Sequence, residues 1–300
     1  MANTILNDLT VFVISCGEET LPACISSLEN QDSTFTIQQI NDITPMSAAF
    51  QAMPDRCQTP YFLQVDADML LEPSAVQSLY LATRASPFWV YRVSASLFEE
   101  GFGVGGAVKC WKKFFFRFTR FHDVRTVDRD LHRRMRRFGL TTQHQQQVVG
   151  IHRPRHSIFS LYLKTKSDVE KWRFLRRDVS MYAIPLVKQI LSEDSFHPHR
   201  LLGAMLGALT QRQRLARSKD FTYERVLYSN LQSFFDRTQL ETISKSKVNE
   251  SFFSHFVNAY ADFDGEQQSR IELAQLVVNL VGVEGTTPAR NGADLLQLIE

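Results

Sequence analysis

Between residues 9 and 98 the chain alternates two textures, and this alternation constrains the fold more than any other feature. Four apolar runs of strand length, "LTVFVIS", "FTIQQIND", "YFLQVDAD" and "PFWVYRVSASLF", are separated by "ETLPACISSLENQ", "TPMSAAFQAMPDR" and "EPSAVQSLYLATRA". The three separators carry apolar residues at helical spacing. Strand and helix at βαβ lengths imply an α/β fold with a mostly parallel central sheet flanked by helices. In open sheets of this kind, ligands bind outside the carboxyl ends of the strands. Ser15, Asp42 and the pair Asp66/Asp68 close the first three runs, so one rim is expected to be polar.

The rest of the chain differs in composition. Residues 1–108 hold three Lys/Arg against twelve Asp/Glu, residues 109–177 nineteen against five, and residues 178–300 twelve against fifteen. A basic middle beside an acidic first third points to an anionic partner, or to packing of one against the other. From about residue 180 the apolar spacing is helical, as in "RLLGAMLGALTQRQRLA" and "RIELAQLVVNLVGV". The expected organisation is one α/β domain over 1–178, with a nucleotide-binding part at about 8–100 and an acceptor-binding part at about 101–178. A helical C-terminal region over 179–300 follows, suited to packing on the first domain or to homo-oligomerisation. The four cysteines form no CxxC pair, so neither a zinc site nor a disulfide framework is expected. No run approaches the ~20 apolar residues of a membrane span. The opening "MANTILNDLTVFVIS" lacks a charged n-region and cleavage site, so a cytoplasmic location is expected.

Asp66 and Asp68 stand at i and i+2 of an extended run and point the same way. Two such carboxylates repel unless a cation joins them. A hard divalent ion, Mg²⁺ or Mn²⁺, removes that repulsion and bridges to phosphate oxygens. The bland reading is a solvated turn with a helix cap.

On these residues, "YFLQVDADMLLEPSAV" resembles the Asp-x-Asp segment of GT-A-fold glycosyltransferases, glycosyltransferase family 2 in particular. The resemblance covers roughly residues 8–160. It implies a GT-A, Rossmann-like domain that takes a nucleoside-diphosphate sugar, a UDP-sugar foremost. It assigns the metal to Asp68, with Asp66 supporting the metal or meeting the ribose or sugar. It makes Ser15 and Glu18 candidates for the base and ribose, and Asp42 for the base. "VDRDLHRR" is similar to the family's E-D-x-D-L-x-x-R segment, with Val127 in place of the first acid. This makes Asp128 the expected catalytic base of an inverting transfer to a hydroxyl acceptor. The plainer reading is an acid at a helix start. In "VVGIHRPRHS", His152 fits the family's third metal ligand, with His156 the second candidate. Arg153 and Arg155 would meet phosphate oxygens.

"KCWKKFFFRFTRFHDVR" has three readings. It could form an acceptor platform, with Phe114, Phe116 and Phe118 along one strand face and Trp111 stacked on a sugar. It could make peripheral contact with an anionic membrane, which would suit a lipid-linked acceptor. It could be a core strand with a basic wet face. No nucleic-acid-binding fold is recognisable. Two other functions stay open: a sugar-nucleotide nucleotidyltransferase, and a non-catalytic nucleotide-sugar or glycan-binding module.

Overall fold

The computed structural model describes residues 4–99, 103–152, 158–175, 180–192, 198–210, 216–235, 267–281 and 291–299, with residues 214, 248 and 254. The chain divides into two compact units. The first holds residues 1–155 with 218–221, the second residues 156–217 with 222–300. The division falls ahead of the boundary expected near residue 178.

In the first unit the strands are β1 (Thr4–Ser15), β2 (Ser33–Asn41), β3 (Tyr61–Asp66), β4 (Met69–Leu71), β5 (Val90–Glu99), β6 (Gly103–Lys112) and β7 (Thr141–His152). They form one sheet in the order β2-β1-β3-β6-β5-β7-β4. β1 runs parallel to β2 and β3, and β5 parallel to β7. The pairs β3–β6, β5–β6 and β4–β7 are antiparallel. The sheet is therefore mixed, with its βαβ part at the β2-β1-β3 end. β6 was hidden by its glycine-rich start, "GVGGAVKCWK".

Helices cover both faces, which explains why β1 reads as a continuous apolar run rather than an alternating one. Val11, Val13, Leu63, Val65, Val93, Ala95 and Cys110 pack against α1 (Leu21–Glu29) and α3 (Ala75–Ala85). Phe12, Ile14, Phe62 and Trp111 face the other way, onto α2 (Met46–Arg56) and α4 (Val127–Arg136). In α4, Val127, Leu131 and Met135 recur at i, i+4, i+8 and are all buried. Its first turn holds Asp128 and Asp130, and its last turn Arg133, Arg134 and Arg136, which suits the helix dipole at both ends. Residues 218–221 return to this unit. The Ser218 hydroxyl donates to Asp123 (2.5 Å), and the Lys219 carbonyl accepts from the Met46 N–H (2.8 Å).

The segment expected as a strand with an aromatic face is instead a 3₁₀ helix, Lys113–Arg117. It leaves β6 at the end opposite Asp66, since Lys112 pairs with Tyr61.

The second unit is helical where described: α5 (Ile158–Phe174), α6 (Ser180–Ser192), α7 (Pro198–Leu209), α8 (Phe221–Phe235), α9 (Gln267–Val281) and α10 (Gly292–Ile299). α5 and α7 cross closely because Gly203 and Gly207 lie at the contact. A β-carbon there would stand 2.3 Å from the Tyr162 carbonyl oxygen and 2.6 Å from that of Lys166. The buried Lys166 ammonium donates to Glu170 (2.6 Å) and Glu224 (2.7 Å), so its burial is compensated. No helix among the described residues is long and apolar enough to cross a membrane.

Candidate functional site

The expected polar rim exists. In register, Ser15 lies beside Asn41, and Ile14 beside Asp66, so three parallel strands end together. Asp42 turns the chain with a left-handed φ of 55°, which Asp tolerates better than most residues. Its N–H donates to the Ser15 carbonyl (2.9 Å). Ser15 and Glu18 are brought together by the turn after β1. The Ser15 hydroxyl donates to the Glu18 carboxylate (2.8 Å), as does the Cys16 N–H (2.7 Å).

The Asp-x-Asp segment is fixed through its central residue. The Ala67 N–H donates to the Ile14 carbonyl (2.9 Å), and its carbonyl accepts from the Thr20 hydroxyl (2.9 Å). Both flanking carboxylates are thus held by backbone already satisfied from two sides. Burial, then the neighbouring Asp68 charge, push Asp66 above the usual carboxylate range, while Lys109, His152 and the Gln64 amide (3.4 Å) act against this. An acid pair so placed gains from any added positive charge.

His152 is delivered by pairing between distant parts of the chain. β4 follows the Asp-x-Asp directly and pairs with the end of β7, setting Met69 opposite His152. His152 Nε2 lies 3.4 Å from Asp68 Oδ1, and Nδ1 lies 3.3 Å from Glu99 Oε2. An imidazole oriented by a second carboxylate is the usual arrangement of a metal-ligating histidine. Gly106 makes room for the ring, since a β-carbon there would stand 3.3 Å from His152 Nδ1.

The sequence reading missed Glu99, which is buried. Its signal was present, because it directly follows the fourth apolar run at the same rim, in register with His152. It also missed Lys109, which sits on β6 between Gln64 and Ser94. Lys109 pairs with Asp128 Oδ2. Asp128 Oδ1 and Gln64 Oε1 are buried with no hydrogen-bond partner among the described residues. Buried acceptors are seldom left so. Beyond them, Ser94 and Ser96 hydroxyls meet the two ring nitrogens of His144 at 3.1 and 2.9 Å.

Asp66, Asp68 and His152 are neighbours and their donor types suit a hard or borderline divalent ion. Even so, among the described residues no three His, Cys, Asp or Glu side chains converge as a ready-made ion site. Arg153, Arg155 and His156 lie outside the described residues. Trp111 cannot stack on a sugar, because it is fully buried and stacked on Phe62. Phe115 is buried, while Phe114 and Phe118 point to solvent at the far end of the sheet.

No family model matches the chain, and no curated protein does. Solved structures do match. A mannosyltransferase from Pyrobaculum calidifontis, in complex with GDP-Man and Mn²⁺, is similar over 91% of this chain and 87% of its own, with 14% identity and a TM-score of 0.42. S. aureus TarS 1–349, in complex with UDP-GlcNAc, is similar over 97% of this chain and 90% of its own, with 9% identity and a TM-score of 0.41.

Proposed function

We propose that the chain is a metal-dependent, inverting glycosyltransferase. It takes a nucleoside-diphosphate sugar, a UDP-sugar foremost, and delivers the sugar to a hydroxyl acceptor. The reading is carried by one observation: an Asp-x-Asp at a strand's carboxyl end, with a carboxylate-oriented histidine 3.4 Å from its second acid. Asp68, Asp66 and His152 would hold the cation, which supplies Lewis-acid stabilisation of the diphosphate when bound. Ser15, Glu18 and Asp42 border the space for the nucleoside, on the rim beside Asp66.

In the transfer, the acceptor oxygen bonds to the anomeric carbon as the bond to the diphosphate oxygen breaks. The bonding electrons leave with the diphosphate. Asp128 takes the hydroxyl proton, and its orphaned Oδ1 is the oxygen available to do so. Lys109 fixes the carboxylate through Oδ2 and leaves that oxygen unshared.

The test is calorimetry of UDP-sugars with and without Mn²⁺. Affinity should depend on Mn²⁺, and Asp68→Ala should abolish that dependence. Metal-independent binding, unchanged in Asp68→Ala, would remove the metal assignment. Asp128→Asn should lose transfer and donor hydrolysis by roughly 10²–10⁴-fold, the range of general-base contributions, while keeping donor binding. Equal loss of both would make Asp128 structural.

A further inference from the structure

The end of the sheet opposite the Asp66 rim exposes a cluster of aromatic side chains among cations. Phe88, Phe114 and Phe118 form a chain of ring contacts, with centroids 5.6 Å apart for Phe88–Phe114 and 5.5 Å for Phe114–Phe118. Phe88 is 63% exposed, Trp89 57% and Phe118 76%. Exposed apolar residues scattered singly need no account, but a contiguous aromatic group at one tip does.

The tip is built rather than loose. The Lys112 ammonium donates to the Ser86 and Pro87 carbonyls at 3.0 and 2.8 Å, and the Lys113 ammonium to the Cys57 carbonyl. These bonds bring the loops before β3 and before β5 to the 3₁₀ helix. The Trp89 carbonyl accepts from the Thr141 N–H (2.8 Å), which brings the loop after α4 to the same end. That loop carries Arg137 and Phe138 directly after Arg136 at the end of α4, all exposed, with Phe138 at 78%. Arg117 lies over the Phe114 ring (5.5 Å), and Arg120 is exposed nearby in sequence. Beside the aromatic group opens a groove of about 400 Å³, walled by Lys113, Phe114, Phe116 and Arg117 on one side and by Pro54, Asp55 and Gln58 to Pro60 on the other. Asp55 is the acid of that second wall, and its carboxylate accepts from the Gln51 amide (2.7 Å).

We infer that this tip docks on an anionic lipid surface. Rigidly held aromatics enter the headgroup boundary while the exposed arginines among them meet lipid phosphates. Charge complementarity selects this partner. A second copy of the same tip would place cations against cations, and a neutral protein surface would leave them unmatched. The inference does not rest on the glycosyltransferase reading.

The full chain would be floated with vesicles of phosphatidylcholine alone and of phosphatidylcholine mixed with phosphatidylglycerol. Flotation is expected only with the anionic vesicles and should fall as salt is raised. Phe114→Ser and Phe118→Ser should each weaken partitioning by roughly tenfold, the loss expected for removing one buried phenyl ring. Arg117→Glu should weaken it on anionic vesicles. Phe118 is so exposed that its replacement should leave the melting temperature unchanged, which separates docking from folding. Trp89 emission should shift to the blue on docking, and Trp89→Phe should remove that shift, since Trp111 is already buried and Trp172 belongs to α5 of the second unit. Absence of flotation on anionic vesicles would overturn the inference. So would flotation unaffected by Phe118→Ser, or self-association in solution that this variant abolishes.

Discussion

At Gly150 a β-carbon would stand 2.1 Å from the Leu70 carbonyl oxygen, inside the pairing that sets Leu71 opposite Gly150 and Met69 opposite His152. A methyl group there would push β7 off β4 and carry His152 away from Asp68. Gly150→Ala should cost about 1–3 kcal/mol of stability, as overpacking does. It should also lower Mn²⁺-dependent donor affinity. Melting curves with and without UDP-sugar and Mn²⁺ check both, and a variant with wild-type donor affinity would show that the pairing does not place the histidine. The residues that end strands of the β2-β1-β3 set were legible in sequence, because a polar residue closing an apolar run marks a rim. Asp66, Asp68, Ser15 and Asp42 were found this way. Glu99 directly follows the fourth apolar run, so its signal was present, but the run reads as ending at Phe98. Lys109 was illegible as a site residue because β6 itself was not recognised as a strand.

Among the elements, α4 joins the site to the core. Its buried Asp130 accepts from Arg134 Nε (2.9 Å) and from Arg133 (3.0 Å). Burial alone would raise this carboxylate, but the Arg134 hydrogen bond and charge, then Arg133 and His122, outweigh it and hold the group below the usual range. A lowered folded-state value means the stabilisation is present above the unfolded value, about 3.9, and is lost as pH falls through the lowered one. Asp130→Asn should therefore destabilise by about 1–3 kcal/mol at neutral pH. The gap from wild type should close on acidification below roughly pH 4. Denaturant melts at stepped pH measure it, and a gap constant with pH would refute the ionic origin. The 3₁₀ helix Lys113–Arg117 shows where local pattern misled. Phenylalanines at alternate positions read as a strand face, yet the ladder ends at Lys112, and the packing of Phe115 against Tyr91 and Phe88 decides the conformation instead.

Across the described residues, all four cysteines are buried and none is joined in a disulfide. Burial, with the nearby Asp66 charge second, pushes the Cys24 thiol up to about 12, and burial does the same for Cys110. Thiolate is the reactive form. Because all four are buried, a thiol reagent at pH 8 should label the native chain slowly at every position, slowest at Cys24 and Cys110, and label four thiols at once in denaturant. Fast labelling of even one native thiol would mean that a described core opens readily. The strands of the first unit also act as a ruler. β3 spans Tyr61–Asp66, so at ~3.3 Å per residue its two ends stand roughly 17 Å apart. If the aromatic tip rests on a bilayer and the proposed transfer takes place at the Asp66 rim, sugar would leave its donor roughly that far above the lipid phosphates. A monosaccharide carried directly on a lipid could not climb to it, whereas the growing terminus of a glycan several units long would arrive at the right height.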